Sequence, residues 1–280
     1  MKFVNFFKKR ENNDILLHFH IFKNAGSTIE WVLIKNFSKM TLSIDEGNPG
    51  NKIYLNRIVE ILRKNKNVKA ISSHQFRFPI TNNTEFNFLT VLFIRHPIDR
   101  AFSIYYFKKK EVDNSIGSIK ARSLNLQEFM NWNLSVKKYI VMKNFQVFFL
   151  SDKIATDNIN EKDLELAIQR MKSCVVVGIV DQIDQSLVVA EEELKKYFPE
   201  IDLSYIIQNT TKREKSLEQR LKEDKMRIDE ITYNELINKN KLDFILYEET
   251  KKELEKRINH IENFEQKLLE FKNRCEKLKS

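Results

Sequence analysis

The hydrophobic pattern divides into short continuous apolar runs separated by longer periodic segments. Ile15 to Ile21 (ILLHFHI) closes on turn chemistry, which predicts a buried strand. Val68 to Ser73 and Phe88 to Ile94 (FLTVLFI) read the same way, and Cys174 to Val180 (CVVVGIV) supplies a fourth. Elsewhere the period lengthens. Thr28 to Phe37 predicts a helix with Trp31, Ile34 and Phe37 on one face. Ile53 to Arg63 predicts a second, after the turn Asn48-Pro49-Gly50-Asn51. Pro97 stands where a helix begins, and IDRAFSIYYFKKK continues it. Leu124 to Phe149, Leu164 to Met171 and Gln182 to Tyr197 also read as helical, and Lys212 to Asp229 as a charged loop or exposed helix.

Strand, loop, helix, strand, strand, helix is the order of an α/β fold. The expected architecture is a central, mostly parallel sheet flanked by helices. No repeat or linker divides the chain, so one domain is expected over residues 1–280, with 247–280 as a helical extension. In that tail Leu254, Ile258 and Ile261, then Phe264, Leu268, Phe271, Cys275 and Leu278, follow three-four spacing. This predicts a long helix packed on its own domain. A coiled coil joining two copies is the alternative, which the shift of the seam between Ile261 and Phe264 weakens.

Composition changes this picture little. A hydrophobic fraction of 42% over 280 residues supports a packed core, and Gly 5 and Pro 4 argue against a loop-rich all-β chain. The net charge of +9 admits several anionic partners. The lysines alternate with acids and no arginine-rich block occurs, which argues against nucleic acid. Cys174 and Cys275 have no metal or framework spacing and read as reduced thiols. The opening MKFVNFFKKRENND is too short in apolar residues for a signal peptide or membrane span, so a cytoplasmic chain is expected, with a peripheral membrane contact left open.

The candidate chemistry begins where the first strand ends, in HIFKNAGST. Lys23, Gly26, Ser27 and Thr28 open a helix whose unpaired N–H groups and dipole favour phosphate, and the lysine adds a full charge. The loop departs from the ATP-type pattern, because Lys23 precedes the glycine by three positions and no GK[ST] occurs. A second segment, IRHPIDRAFS, places Arg95 at a strand end and Ser103 on the following helix.

Together these two segments resemble the paired signature of carbohydrate sulfotransferases that use 3′-phosphoadenosine 5′-phosphosulfate (PAPS). The likeness is greatest to the uronosyl and heparan sulfate 2-O-sulfotransferase branch. Looser likenesses follow in CVVVGIVDQIDQSLVVAEEEL and LDFILYEETKKEL. The resemblance implies a P-loop-like fold and no metal. Lys23, Asn24, Ala25, Gly26, Ser27 and Thr28 would line the 5′-phosphosulfate, and Arg95 and Ser103 would hold the 3′-phosphate. Thr211 and Lys212, in a late segment similar to one that closes over the nucleotide, are added to the cofactor set. Phe22, Asn24 and His96 stand where the family pattern has proline, threonine and aspartate.

Sulfonate transfer to a hydroxyl needs a base and a positive charge at the leaving phosphate. Lys23 answers the second need. For the first, the resemblance points to His74 in AISSHQF, with Glu30 the rival base. His20 matches the family's motif histidine, usually structural; His96 and His260 are given no role. The Tyr105-Tyr106-Phe107 group is expected in the core. The acceptor implied is a carbohydrate or glycolipid, with an acidic one favoured by the net charge. The alternatives are a P-loop nucleotide phosphotransferase needing magnesium and a non-catalytic binder of anionic polymers.

Overall fold

A computed structural model describes residues 13–154, 158–206 and 215–279. Among them β1 (Asp14–Phe19) lies between β3 (Ala70–Ser73) and β4 (Asn87–Ile94). Outside these run β2 (Thr41–Ser43) beside β3, and β5 (Val176–Ile179) beside β4. Every pairing is parallel, with Leu16 opposite both Ala70 and Leu89. The expected sheet is present, with one strand more than the apolar runs announced. At three residues on an edge, β2 is too short to leave such a run.

Both faces of the sheet are covered, as buried parallel strands require. Ile15, Leu17 and Phe19 pack beneath α2 (Leu55–Lys64), α6 (Phe145–Ser151), α7 (Glu161–Ser173) and α11 (Lys241–Ile258). Leu16, Leu89 and Val91 pack under α1 (Gly26–Phe37), α8 (Ile183–Leu194) and α12 (Phe264–Lys277). A third apolar cluster joins α3 (Pro97–Lys110), α4 (Ile116–Ser123), α5 (Leu126–Ser135) and α10 (Glu230–Lys239) around Phe102, Phe129 and Leu236.

Several expectations are corrected. Helix α1 buries Ile29, Val32, Leu33 and Phe37, while Ile34 is 56% exposed. Trp31 and Ile34 share a helical period with Phe37, so periodicity alone could not choose between the two stripes. The stretch from 124 to 149 is two helices, since the chain leaves α5 at Val136 and Asn144 takes a left-handed φ of 44° before α6. The tail is likewise two helices. It turns between Ile258 and Phe264, through Asn263 at φ 53°, where the apolar seam shifts. Leu254 is buried in one core layer, and Leu268, Phe271 and Cys275 in the other, so these seam positions are packed against the chain's own sheet.

Both cysteines are free and buried, and burial pushes the Cys174 thiol up to about 12. Among the described residues no helix is long and apolar enough to cross a membrane.

Candidate active site

The strand order reverses around β1, and the loops leaving β1, β3, β4 and β5 gather at the carboxyl edge of the sheet. That crevice is where ligands enter open α/β sheets. A cleft of about 850 Å³ occupies it, within the size range of small-molecule sites. Lys23, Ala25, Gly26, Ser27 and Thr28 line it from one segment, Arg95 and Ser103 from the other, and His74 from the end of β3. The two motifs share one cleft.

Their contact is direct. Arg95 donates through Nη1 to the Lys23 carbonyl at 2.9 Å and through Nε to Asp99 at 2.7 Å. Arg100, fully buried, donates through Nε to the Phe22 carbonyl at 3.0 Å and through Nη1 to the Val141 carbonyl at 2.8 Å. Two guanidiniums of the second motif therefore fix two consecutive carbonyls of the first loop. Gln146 on α6 completes the clamp: its Oε1 accepts from Asn24 Nδ2 at 2.7 Å and from the Arg95 N–H at 2.9 Å. Its Nε2 donates to the Arg95 carbonyl at 2.9 Å. Asp243 accepts the N–H groups of Gln146 and Val147 at 3.0 and 2.8 Å, holding the start of α6 in place.

Asn24 does not face the cleft. Its side chain is buried and donates to the Phe93 carbonyl at 2.8 Å as well as to Gln146, so it anchors the loop from behind. A buried amide is costly unless paired, which explains why it turns inward to two acceptors. The placement in the nucleotide set is corrected accordingly. Lys23 and Ala25 hold φ angles of 67° and 63°, a left-handed backbone that costs a non-glycine residue of order 1 kcal/mol.

Helix α1 starts with no side-chain cap and no acidic residue in its first turn. The Gly26 and Ser27 N–H groups have no acceptor among the described residues. Orphan donors at a positive dipole end form a seat for an anion. Lys23 stands beside it with its ammonium 4.0 Å from the Phe107 ring centroid. Burial, then the neighbouring Arg95 charge, brings the Lys23 ammonium down to about 8.

Gly26 is needed for a reason the sequence did not show. A Cβ there would lie 1.6 Å from His20 Nε2, so the glycine admits the His20 ring rather than the ligand. Gly26→Ala is expected to displace that ring and to lower stability by about 1–3 kcal/mol, the usual cost of overpacking, read as a fall in the thermal midpoint. A midpoint equal to wild type would show that the ring does not occupy that space.

His20 links the candidate base to Glu30. The His74 ring packs 3.8 Å from the His20 ring, centroid to centroid, and His74 Nδ1 donates to the His20 carbonyl at 2.6 Å. That bond puts the proton on Nδ1 and leaves Nε2 unprotonated. Asp45 accepts the His74 N–H and the Ser73 hydroxyl, both at 3.0 Å. Burial and the neighbouring His20 hold the His74 imidazolium below its ordinary value.

Glu30 does not line the cleft, which sets it apart from the base position expected of it. Its Oε1 takes His20 Nδ1 at 3.3 Å and Ser43 Oγ at 3.0 Å. Burial is the largest single influence and would raise its carboxyl, but the bond to His20, the His20 charge and the Ser72 and Ser43 hydroxyls together outweigh it and hold the carboxyl down to about 2. His18, buried behind them, bonds Ser72 Oγ at 2.9 Å and is pushed well down by burial.

Further groups in the cleft left no signal in the pattern. Asp99 is shared by Arg95 and by Arg220, whose Nε donates at 2.9 Å from α9 (Leu217–Lys225). Both guanidiniums outweigh burial and hold the Asp99 carboxyl far below the usual range. Phe107, expected in the core, forms an edge-to-face pair with Phe22 at 5.4 Å and lines the cleft, whereas Tyr105 is buried as expected. His96, given no role, packs edge-on against Phe244 and Tyr247, and burial lowers it to about 4. Thr211 and Lys212 lie outside the described residues.

A family model described as "Sulfotransferase family" matches residues 7–248. A protein of Archaeoglobus fulgidus, described as uncharacterized, is 30% identical over 243 residues, which covers 85% of this chain and 96% of that one.

Proposed function

The chain belongs to the sulfotransferase family, and from that premise we propose that it passes the sulfonate of PAPS to a hydroxyl of a carbohydrate acceptor, with His74 as the base. The observation that carries the reading is the cleft itself, where the Lys23 loop and the Arg95 segment meet and are tied together. The residues present fit the donor: an uncapped helix start and Lys23 suit its 5′ side, and a guanidinium with Ser103 suits its 3′-phosphate. When bound, PAPS supplies an activated sulfonate on a phosphate leaving group.

The chain's own residues supply the rest. The N–H groups of Gly26 and Ser27, with the Thr28 hydroxyl and Lys23, would hold the phosphate end, and Arg95 and Ser103 the other. Arg220, facing Arg95 across Asp99, joins this set. His74 Nε2 takes the proton of the acceptor hydroxyl, while Nδ1–H stays on the His20 carbonyl. The ionised Glu30 beyond His20 favours the imidazolium that results. Lys23 keeps positive charge where the leaving phosphate gains negative charge.

Phe22 and Phe107 make an apolar wall beside the base, with the Phe22 ring 6.4 Å from that of His74. Such a wall suits the apolar face of a sugar ring. The net charge of the chain is not concentrated in the cleft. Among the described lining residues, Lys23, Arg95, Lys110, Lys215 and Arg220 face Asp99, Glu111, Asp181, Asp184, Glu223 and Asp224. This balance supports a neutral acceptor as well as an acidic one.

The test is calorimetric and thermal titration with adenosine 3′,5′-bisphosphate in the presence of a chelator. Tight binding and a raised midpoint without metal are expected. Stabilisation by ATP with magnesium alone would favour a phosphotransferase instead, and a steep salt dependence with no nucleotide response would favour a polymer binder. In the same titration Arg95→Ala is expected to lose about 1.5–3 kcal/mol, or roughly 10–150-fold in Kd. Wild-type affinity in that variant would remove the second motif from the site.

A further inference from the structure

We propose that the tip joining α3 to α4 docks on an anionic membrane surface. Helix α3 ends in Lys108-Lys109-Lys110, the chain turns, and Ser115 caps α4 by accepting the Ser118 N–H. The inner face of α4 is committed: Gly117, Ser118 and Ala121 are buried, and a Cβ on Gly117 would lie 2.0 Å from the Tyr139 hydroxyl. The outer face carries apolar side chains that no other described residue covers. Val112 is 91% exposed, Ile116 54% and Ile119 43%.

Two of the three share one face of α4, and the third lies on the turn that leads into it. Ile116 and Ile119 are three residues apart and share a helical face. Arg122, one turn further, donates to the carbonyls of Glu111 and Asp113 and so ties the turn that carries Val112 back to α4. The tip is a fixed structure, not a loose loop.

Charge identifies the occupant. From 108 to 123 the chain carries Lys108, Lys109, Lys110, Lys120 and Arg122 against Glu111 and Asp113 only. Both acids are answered by Lys108, at 3.5 and 3.6 Å. What remains is an apolar point in a cationic collar, the pattern that inserts into the headgroup boundary of an anionic bilayer. A protein groove would be met by the apolar residues without the collar. Because Lys110 and Glu111 also line the cleft, docking here would set its mouth at the lipid surface. If the proposed activity holds, that placement favours a lipid-linked glycan as acceptor; the docking itself does not depend on it.

The experiment is vesicle co-sedimentation of the full chain. Vesicles of phosphatidylcholine with an equal part of phosphatidylglycerol are compared with phosphatidylcholine alone. The wild type is expected to sediment with the anionic vesicles and not with the neutral ones. Val112→Ser combined with Ile116→Ser and Ile119→Ser should weaken this by roughly tenfold or more, and Lys109→Glu with Lys120→Glu by a similar factor. Both variants should keep the wild-type thermal response to the bisphosphate, which reads the fold and the nucleotide site separately. Absence of anionic-vesicle binding, equal binding to neutral vesicles, or unchanged binding by the serine variant would each overturn the proposal. Loss of the bisphosphate response in wild type would sink the proposed activity and leave the docking result standing.

Discussion

His74→Ala is expected to lower turnover by about 10²- to 10⁴-fold while leaving bisphosphate affinity at the wild-type level. The separation follows from where the side chain sits. His74 comes from the end of β3, on the opposite side of β1 from β4 and its Arg95, and no residue of the phosphate seat bonds to it. Its Nδ1 is already committed to the His20 carbonyl, so the only lone pair it can offer is on Nε2. Burial and His20 keep that nitrogen unprotonated at neutral pH. As pH falls through the lowered His74 value the base is lost, so kcat/KM should show an acid limb below the ordinary imidazole range.

Transfer of labelled sulfonate to an acceptor found by glycan screening gives the rate, and calorimetry gives the affinity. Glu30→Gln is the informative contrast. If Glu30 were the base its loss would match that of His74; as the ionised partner of His20 it should cost less. A His74→Ala rate within tenfold of wild type would place the base elsewhere.

How far the sequence disclosed this site depends on the range of the interaction concerned. The strands β1, β3, β4 and β5 were legible because parallel strands buried on both faces must be apolar throughout. The Lys23 loop and Arg95 were legible because each follows such a strand directly, and together they resembled a paired signature. The clamp between them was not. Gln146 bonds to Asn24 and Arg95 from 122 and 51 positions away in the chain, and nothing in NFQVFFL distinguishes it from a surface glutamine until the fold buries it.

The same limit explains the misread residues. Asn24 looked like a loop donor because its neighbours are, yet its amide finds Phe93 and Gln146 behind the loop. Gly26 stood in the loop as one of the residues lining the phosphate, but the space its missing Cβ leaves is filled by an imidazole from six residues earlier. Arg220 lay in a charge run that reads as solvated surface, and only the fold brings it to Asp99. Local chemistry announced which residues could bind an anion, while tertiary packing decided which of them face it.

Lys23 offers the second large effect, and it is a pH effect as well as a mutational one. Lys23→Met is expected to reduce turnover by about 10²- to 10³-fold, the range seen when a charge that stabilises the transition state is removed. The wild-type lysine is also unusual in titrating near 8, because burial and Arg95 both disfavour its charged form. The sign is fixed by that direction: with the value lowered, the ammonium fraction of the free protein falls as pH rises through about 8. A bound phosphate favours the ammonium, so binding takes up a proton above that pH and weakens by about tenfold per unit of pH. Bisphosphate affinity should therefore be level from pH 6.5 to 7.5 and about tenfold weaker at pH 9. Lys23→Arg keeps its charge throughout and should flatten the profile, even if the bulkier fork disturbs turnover. A wild-type affinity that stays constant up to pH 9 would mean that Lys23 does not meet the phosphate, and the 5′ side of the site would have to be reassigned.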